Sequence, residues 1–252
     1  MGAHSVPFDR CKPNCSMCPA GSRCFTSGLP DQEIFAWNDL VQTHVPLFPG
    51  HGALFNAGDE AENLYLVRAG CVKTYTIDEE GNERIRGFHL PGDLIGLDAL
   101  SRRHHPCAAG AVEASQVCVI PRVRVAAELQ RSPVLMQRLL ERTSRELSAA
   151  LSLSGDFSAD QRVAAFVLSM QERLSASTIG QRLRLPMTRR DIGNYLRLAT
   201  ETVCRVITRL EQQGVLESRD RSLSIRDRPR LLGLAEPVGL SGDRADYFAL
   251  AA

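Results

Sequence analysis

The chain has 252 residues, 44% hydrophobic and 23% charged, with 30 basic against 29 acidic side chains. That length suits one or two domains with cores of their own, and the composition excludes a disordered, collagen-like or small disulfide-stapled protein. No run approaches the roughly 18 apolar residues of a membrane span, and the N-terminus lacks the charged-then-apolar profile of a secretion signal, so a cytoplasmic protein with no membrane partner is expected. In a reducing compartment its eight cysteines point to metal or redox chemistry and away from disulfides.

Residues 1–29 are rich in Cys, Pro, Gly and Ser without periodicity, a loop that needs something to organise it. Cys11, Cys15, Cys18 and Cys24 put four thiols within fourteen residues. Clustered thiolates bind Zn²⁺ or iron–sulfur clusters, and the spacing alone does not separate the two, because only one Cys-x2-Cys knuckle is present.

Residues 45–122 read as β, in the manner of a small barrel or jelly roll. Leu64–Val67, Val72–Ile77 and Val117–Ile120 read as short strands, and Gly58, Gly70, Gly81 and Gly92 recur every 11 or 12 residues, the rhythm of hairpins. Glu80-Gly81-Asn82 reads as a tight turn. The period then changes. Over 132–154, Ser132-Pro133 supplies a cap and a first-turn proline, and Met136, Leu140, Thr143, Leu147 and Ala150 follow the alternating four–three spacing of a seam. A long helix is expected, either a dimerisation helix or an ordinary helix buried on one side, with Leu135, Leu139 and Leu151 widening the apolar face towards the β domain.

Residues 155–235 carry the positive charge. Between 181 and 230 twelve arginines face six acids, an excess of about six, as in a nucleic-acid-binding module. Two short amphipathic helices span Thr188–Leu210, with Ile192, Leu196, Val203, Val206, Ile207 and Leu210 as shared core. Thr188 caps the first, with Asp191 completing a capping box; Thr200 is expected to cap the second. Glu201, Thr202, Cys204 and Arg205 then face outward from a helix suited to the major groove, and Thr188 and Arg189 flank it. Arginine suits guanine O6/N7 and a carboxylate accepts from cytosine N4. Val215–Leu216 and Leu223–Ile225 flank a charged turn, a β-hairpin wing. The fold class is therefore α+β, ending in a winged helix-turn-helix domain and a tail at 236–252.

Two stretches make the chain resemble a known group. Gly87-Phe88-His89-Leu90-Pro91-Gly92-Asp93-Leu94-Ile95-Gly96 and Met187–Leu196 with Glu201–Arg205 are similar to the β-roll signature and the DNA-binding motif of the CRP/FNR superfamily of bacterial transcription regulators. The resemblance runs over nearly the whole chain and is strongest to the FNR branch. It implies a β-roll (jelly-roll) sensor domain over 30–131 and a homodimer on double-stranded DNA with a palindromic TTGAT-like site, read by a Glu, a Ser and an Arg. Glu201 and Arg205 match, Cys204 stands in place of the Ser, and Arg197 stands where the family has a turn glycine. It also implies an oxygen-responsive 4Fe–4S cluster on the last three loop cysteines and a distant fourth. Those are Cys15, Cys18, Cys24 and Cys118, the last fitting a strand just before Ile120-Pro121. Cys11, Cys71, Cys107 and Cys204 are expected to be non-ligands. A β-roll turn in that branch touches RNA polymerase, and the matching residues are Ile77, Asp78, Gly81 and Asn82, with exposed acids at Asp78, Glu79 and Glu80.

Cyclic-nucleotide binding is disfavoured, since Gly96-Leu97-Asp98 and Pro106-Cys107-Ala108-Ala109 replace the acid and the Arg–Ser pair such sites use. Rival readings are a cluster-free or zinc-bearing regulator with constitutive DNA binding, and an iron–sulfur electron-transfer enzyme. No dinucleotide fingerprint, P-loop or nucleophile–base set supports an enzyme, and His89, His104 and His105 read as loop and surface residues.

Overall fold

The computed structural model describes Cys15, residues 18–174 and residues 182–238, apart from the side chains at 149, 152–154 and 237. Cys11 and most of the tail lie outside the described residues. In chain order the elements are α1 (Asp31–Leu40), β1 (Thr43–Leu47), β2 (Asn63–Ala69), β3 (Val72–Ile77), β4 (Glu83–His89), β5 (Leu94–Ile95), β6 (Ala108–Ala111), β7 (Ser115–Pro121), α2 (Arg122–Arg131), α3 (Pro133–Ser154), α4 (Ala159–Leu174), β8 (Leu183–Arg184), α5 (Arg189–Leu196), α6 (Thr200–Gln212), β9 (Leu216–Arg219), β10 (Ser222–Ile225) and α7 (Arg228–Ala235). Two units result, divided after Ser144 inside α3. No helix among the described residues is long and apolar enough to cross a membrane.

The first unit holds two antiparallel sheets, β1-β7-β2-β5 and β4-β3-β6. Leu47, Val67, Ile95 and Val117 of the four-stranded sheet pack with Val72 and Ala109 of the other. Alternation along a strand sends neighbours to opposite faces. Leu64, Leu66, Leu94, Cys118 and Ile120 therefore point away from that core, into a second one with Phe25, Trp37, Val125, Leu129 and Leu135. Burial on both faces is why Val117–Ile120 is continuously apolar. The covering layer includes α1 and α2, which stand at either end of the stretch read as β and which the sequence reading does not anticipate as helices.

Ser132 does cap α3, its Oγ accepting from Leu135 N at 3.2 Å. Leu135 is buried and Leu139 packs on the same core, while Met136, Leu140 and Leu147 are exposed, as are Thr143 and Ala150. Leu151 departs from expectation: it is 63% exposed and extends the outward stripe.

In the second unit α4, α5 and α6 share a core of Val163, Phe166, Ile192, Leu196, Val203, Val206, Ile207 and Leu210. The wing β9–β10 is joined by β8 as a third antiparallel strand. Thr188 Oγ1 accepts from Asp191 N at 3.1 Å and Asp191 Oδ2 from Thr188 N at 3.0 Å, the capping box read from sequence. The cap of α6 is a correction: it is Ala199, with no side-chain bond, and Thr200 is already the first helical residue. Leu198 N reaches Gly193 O at 2.8 Å and sets this tight join.

Candidate functional site

Helix α6 is held by its apolar face, and Glu201, Cys204 and Arg205 stand exposed on the other, with Thr202 half-buried. Arg205 Nη2 donates to Thr202 Oγ1 at 3.2 Å, which orients the guanidinium on the exposed face. Arg189 is different. Its Nη2 donates to Ser218 Oγ at 2.9 Å, its Nη1 is buried without a partner, and burial lowers its pKa. The wing tip exposes Arg219 and Arg221 around Asp220, whose φ is 55°.

The cysteines gather on the outer face of the four-stranded sheet. Cys118 sits on β7 between His44 and Leu66 in register, so its thiol shares their face. Cys24 is buried beside it in the same core, and Cys15 and Cys18 pack against that core. The three loop cysteines have local support. Cys15 N donates to Asn38 Oδ1 of α1 at 3.0 Å, Cys18 N to Cys15 O at 3.2 Å, and Thr26 Oγ1 donates to Cys24 Sγ at 3.3 Å. Phe25 rests against Trp37, ring centroids 5.3 Å apart.

These thiols act on one another. Burial and then Cys24 and Cys18 push Cys15 up to about 11; burial and then Cys18, Cys15 and Cys24 push Cys118 up to about 12. Burial also raises Cys24, against the bond from Thr26. Arg68 opposes the shift at Cys15 and Cys118. It lies at the β-bulge of β2, with Nη1 3.1 Å from His44 Nδ1 and 3.2 Å from Nε2. Among the described residues no three His, Cys, Asp or Glu side chains are set to hold a single metal ion.

Cys71 and Cys107 are buried elsewhere, Cys107 in the core between the sheets. The Cys107 thiol donates to Asp98 Oδ2 at 3.3 Å, and Asp98 pairs with Arg86 at 3.5 Å. Two of the three histidines correct the sequence reading. His105 is 2% exposed, stacked on Phe55 at 3.7 Å, with both ring nitrogens lacking partners; its aromatic face suits the core, and burial lowers its pKa. His89 is half-buried on β4, its Nε2 3.2 Å from Thr74 Oγ1. His104 is exposed.

In the β3–β4 turn Ile77 is 62% exposed, and Gly81 and Asn82 are exposed too. Asp78 is half-buried and belongs to the turn itself, accepting from Asn82 N at 2.8 Å and Glu80 N at 3.1 Å and pairing with Arg84 at 3.2 Å. The bonds from Asn82, chiefly, hold its carboxyl below the usual range. The outward charges are Glu79 and Glu80.

Residues 161–234 match the Crp-like helix-turn-helix domain and residues 47–132 the cyclic nucleotide-binding domain. The Fumarate and nitrate reduction regulatory protein of Escherichia coli is 36% identical over 229 residues, 89% of this chain and 91% of that protein. The chain belongs to the CRP/FNR family of transcription regulators. Another relative, the Anaerobic regulatory protein of Haemophilus influenzae, is 36% identical over 91% of this chain and 89% of its own length. Among solved structures, FixK2 from Bradyrhizobium japonicum superposes with a TM-score of 0.68 at 34% identity, covering 76% of this chain and 96% of that one. As a CRP/FNR member the chain is a DNA-binding transcription regulator, with α5 and α6 inside the matched helix-turn-helix domain.

Sequence reasoning missed Arg68, Arg138 and Arg142. The last two lie four apart on α3, beside Leu135 and Leu139, and that placement of charge on a buried face was the one available signal. Arg138 Nη1 donates to Phe25 O at 2.9 Å; Arg142 Nη2 donates to Gly92 O and its Nη1 pairs with Asp93 Oδ1, both at 2.6 Å.

Proposed function

We propose that this regulator answers to oxygen through a 4Fe–4S cluster carried by Cys15, Cys18, Cys24 and Cys118. The observation that carries the reading is the convergence of one strand cysteine and three loop cysteines on a single apolar face, where the three loop thiols together push the Cys118 thiol up. The donor set fits the group: four thiols, a hydroxyl donor to one sulfur, and an arginine opposing the accumulated negative charge. When bound, the cluster supplies an oxygen-labile anionic centre. The chain's own residues do the rest. Asn38 and Thr26 orient the loop, Phe25 and Trp37 exclude water, and the loop closes one wall of the core on which Leu135 and Leu139 of α3 rest.

The exposed stripe of Met136, Leu140, Thr143, Leu147 and Ala150 then serves as the homodimer seam. Two copies of α6, one DNA turn apart, read a palindromic TTGAT-like site through Glu201, Cys204 and Arg205. The relatives' names, which speak of fumarate and nitrate reduction and of anaerobic regulation, support a role in oxygen-poor growth. Ile77, Glu79, Glu80, Gly81 and Asn82, held in shape by Asp78, form the surface offered to RNA polymerase.

The test is chemical. Protein purified without oxygen should be brown and hold about four iron and four sulfide per chain. Serine at position 15, 18, 24 or 118 should abolish this, whereas Cys107→Ser should not. Stoichiometric zinc without sulfide would overturn the reading.

A further inference from the structure

The geometry points to Arg138 and Arg142 as the positioning residues that hold the Cys24 segment and carry its state to the dimer helix. The inference rests on the cluster and dimer readings above and assigns the coupling between them to two named side chains.

The two arginines grip the backbone on either side of Cys24. Arg138 reaches the carbonyl of Phe25, the residue after it, directly. Arg142 reaches the residue before it through an intermediary. Gly92, with φ of +95°, lies so close under the loop that a Cβ there would stand 2.0 Å from Arg23 O and 3.0 Å from Cys24 N. Gly92 O and the Asp93 carboxylate are the two groups that Arg142 holds.

That intermediary is stiff. Asp93 Oδ2 accepts from Leu90 N at 2.8 Å, and the turn is pinned to β2 by Gly92 N to Val67 O at 2.8 Å and Val67 N to Asp93 O at 2.9 Å. The Arg142–Asp93 pair is largely shielded from water, at 18% and 11% side-chain exposure. Bonds to a charged donor in such a setting are stronger than neutral ones. On the same helix turns, Met136 and Leu140 face outward. The side of α3 that grips the loop and the side that would meet a second copy are thus one rigid body. A shift at Cys24 that breaks the bond to Phe25 alters how α3 sits, and linkage requires the dimer to favour the gripped loop by the same factor.

The experiment compares dimer dissociation constants, by analytical ultracentrifugation, for cluster-loaded protein and for protein stripped of iron by air and chelator. The unaltered chain should dimerise at least about tenfold more tightly when loaded. Arg138→Met keeps the hydrocarbon stem but donates nothing; it should retain iron and sulfide and lower that ratio to within about threefold of unity. Arg138→Lys, still a donor, should keep the ratio. An unchanged ratio in the methionine variant overturns the assignment, as does an equal loss in both variants, which would mean packing alone. A methionine variant that fails to load while the lysine variant loads would confine the bond to the loop and overturn the transmission. Absence of iron and sulfide from the unaltered chain would instead sink the cluster reading itself.

Discussion

Arg189 Nη2 donates to Ser218 Oγ at 2.9 Å, so the first residue of α5 is fastened to the first strand of the wing. Ser218 N in turn donates to Glu211 Oε1 of α6 at 2.6 Å. Arg189 is therefore expected to brace the reading head. Arg189→Ala should lower the stability of the C-terminal unit by about 1–3 kcal/mol, measured by urea unfolding. The slope of DNA affinity against salt should not change, because no phosphate contact is lost.

Arg205 and the wing arginines should separate in a specificity assay. Arg205→Ala should cost about 1–3 kcal/mol on the specific site and lose discrimination at guanine, since its guanidinium is exposed on the reading face. Arg221→Ala should weaken specific and random duplexes alike and reduce the salt slope by about 0.9. Fluorescence anisotropy over a salt series distinguishes the two.

Arg197 carries the left-handed conformation that ends α5, with φ of 58° and ψ of 41°. A side chain in that region costs on the order of 1 kcal/mol that glycine does not incur. Arg197→Gly should raise the C-terminal unit's stability by about that amount and leave the helix join unchanged, as read by thermal unfolding.

Cys107 gives the fold an alkaline limit. Burial, and then the Asp98 carboxylate, push its thiol from 9.0 up to about 12. Above pH 9 the unfolded chain loses this proton while the folded chain keeps it, so the folded state binds more protons and stability falls as pH rises towards 12. One such group contributes a slope of up to about 1.4 kcal/mol per pH unit. Cys107→Ala should flatten the alkaline limb of a stability–pH curve by that much and leave the curve below pH 8 parallel to the parent's.

Much of this was legible in the chain. The helical period of α3, the capping box at Thr188 and the hairpin glycines are local patterns, and local patterns survive folding. Cys118 could be singled out from Cys107 by resemblance, and the structure puts the two on opposite sides of a sheet. What stayed hidden depends on distant acceptors. Arg138 and Arg142 bond to backbone carbonyls and to Asp93, and a carbonyl has no signature in sequence. His105 read as a surface residue because its neighbours Arg103 and His104 are polar; its ring is instead buried against Phe55 of another segment. Asp78 looked like an outward charge, yet its short side chain closes its own turn.

The placement of Cys118 also has a genetic consequence. Its side of the sheet is a matter of parity: Val117 and Cys118 are adjacent, and only one of them can face the loop. Losing or gaining a single residue in the turn at 112–114, if the strand slid by one to compensate, would turn a valine towards Cys24 and send the sulfur into the core between the sheets. All eight cysteines would remain in such an allele. It would score as intact in any census of cysteines and yet no longer bring Cys118 and Cys24 to one face, so, on the proposed function, frameshift-free length variants of this turn belong in the same phenotypic class as the cysteine replacements.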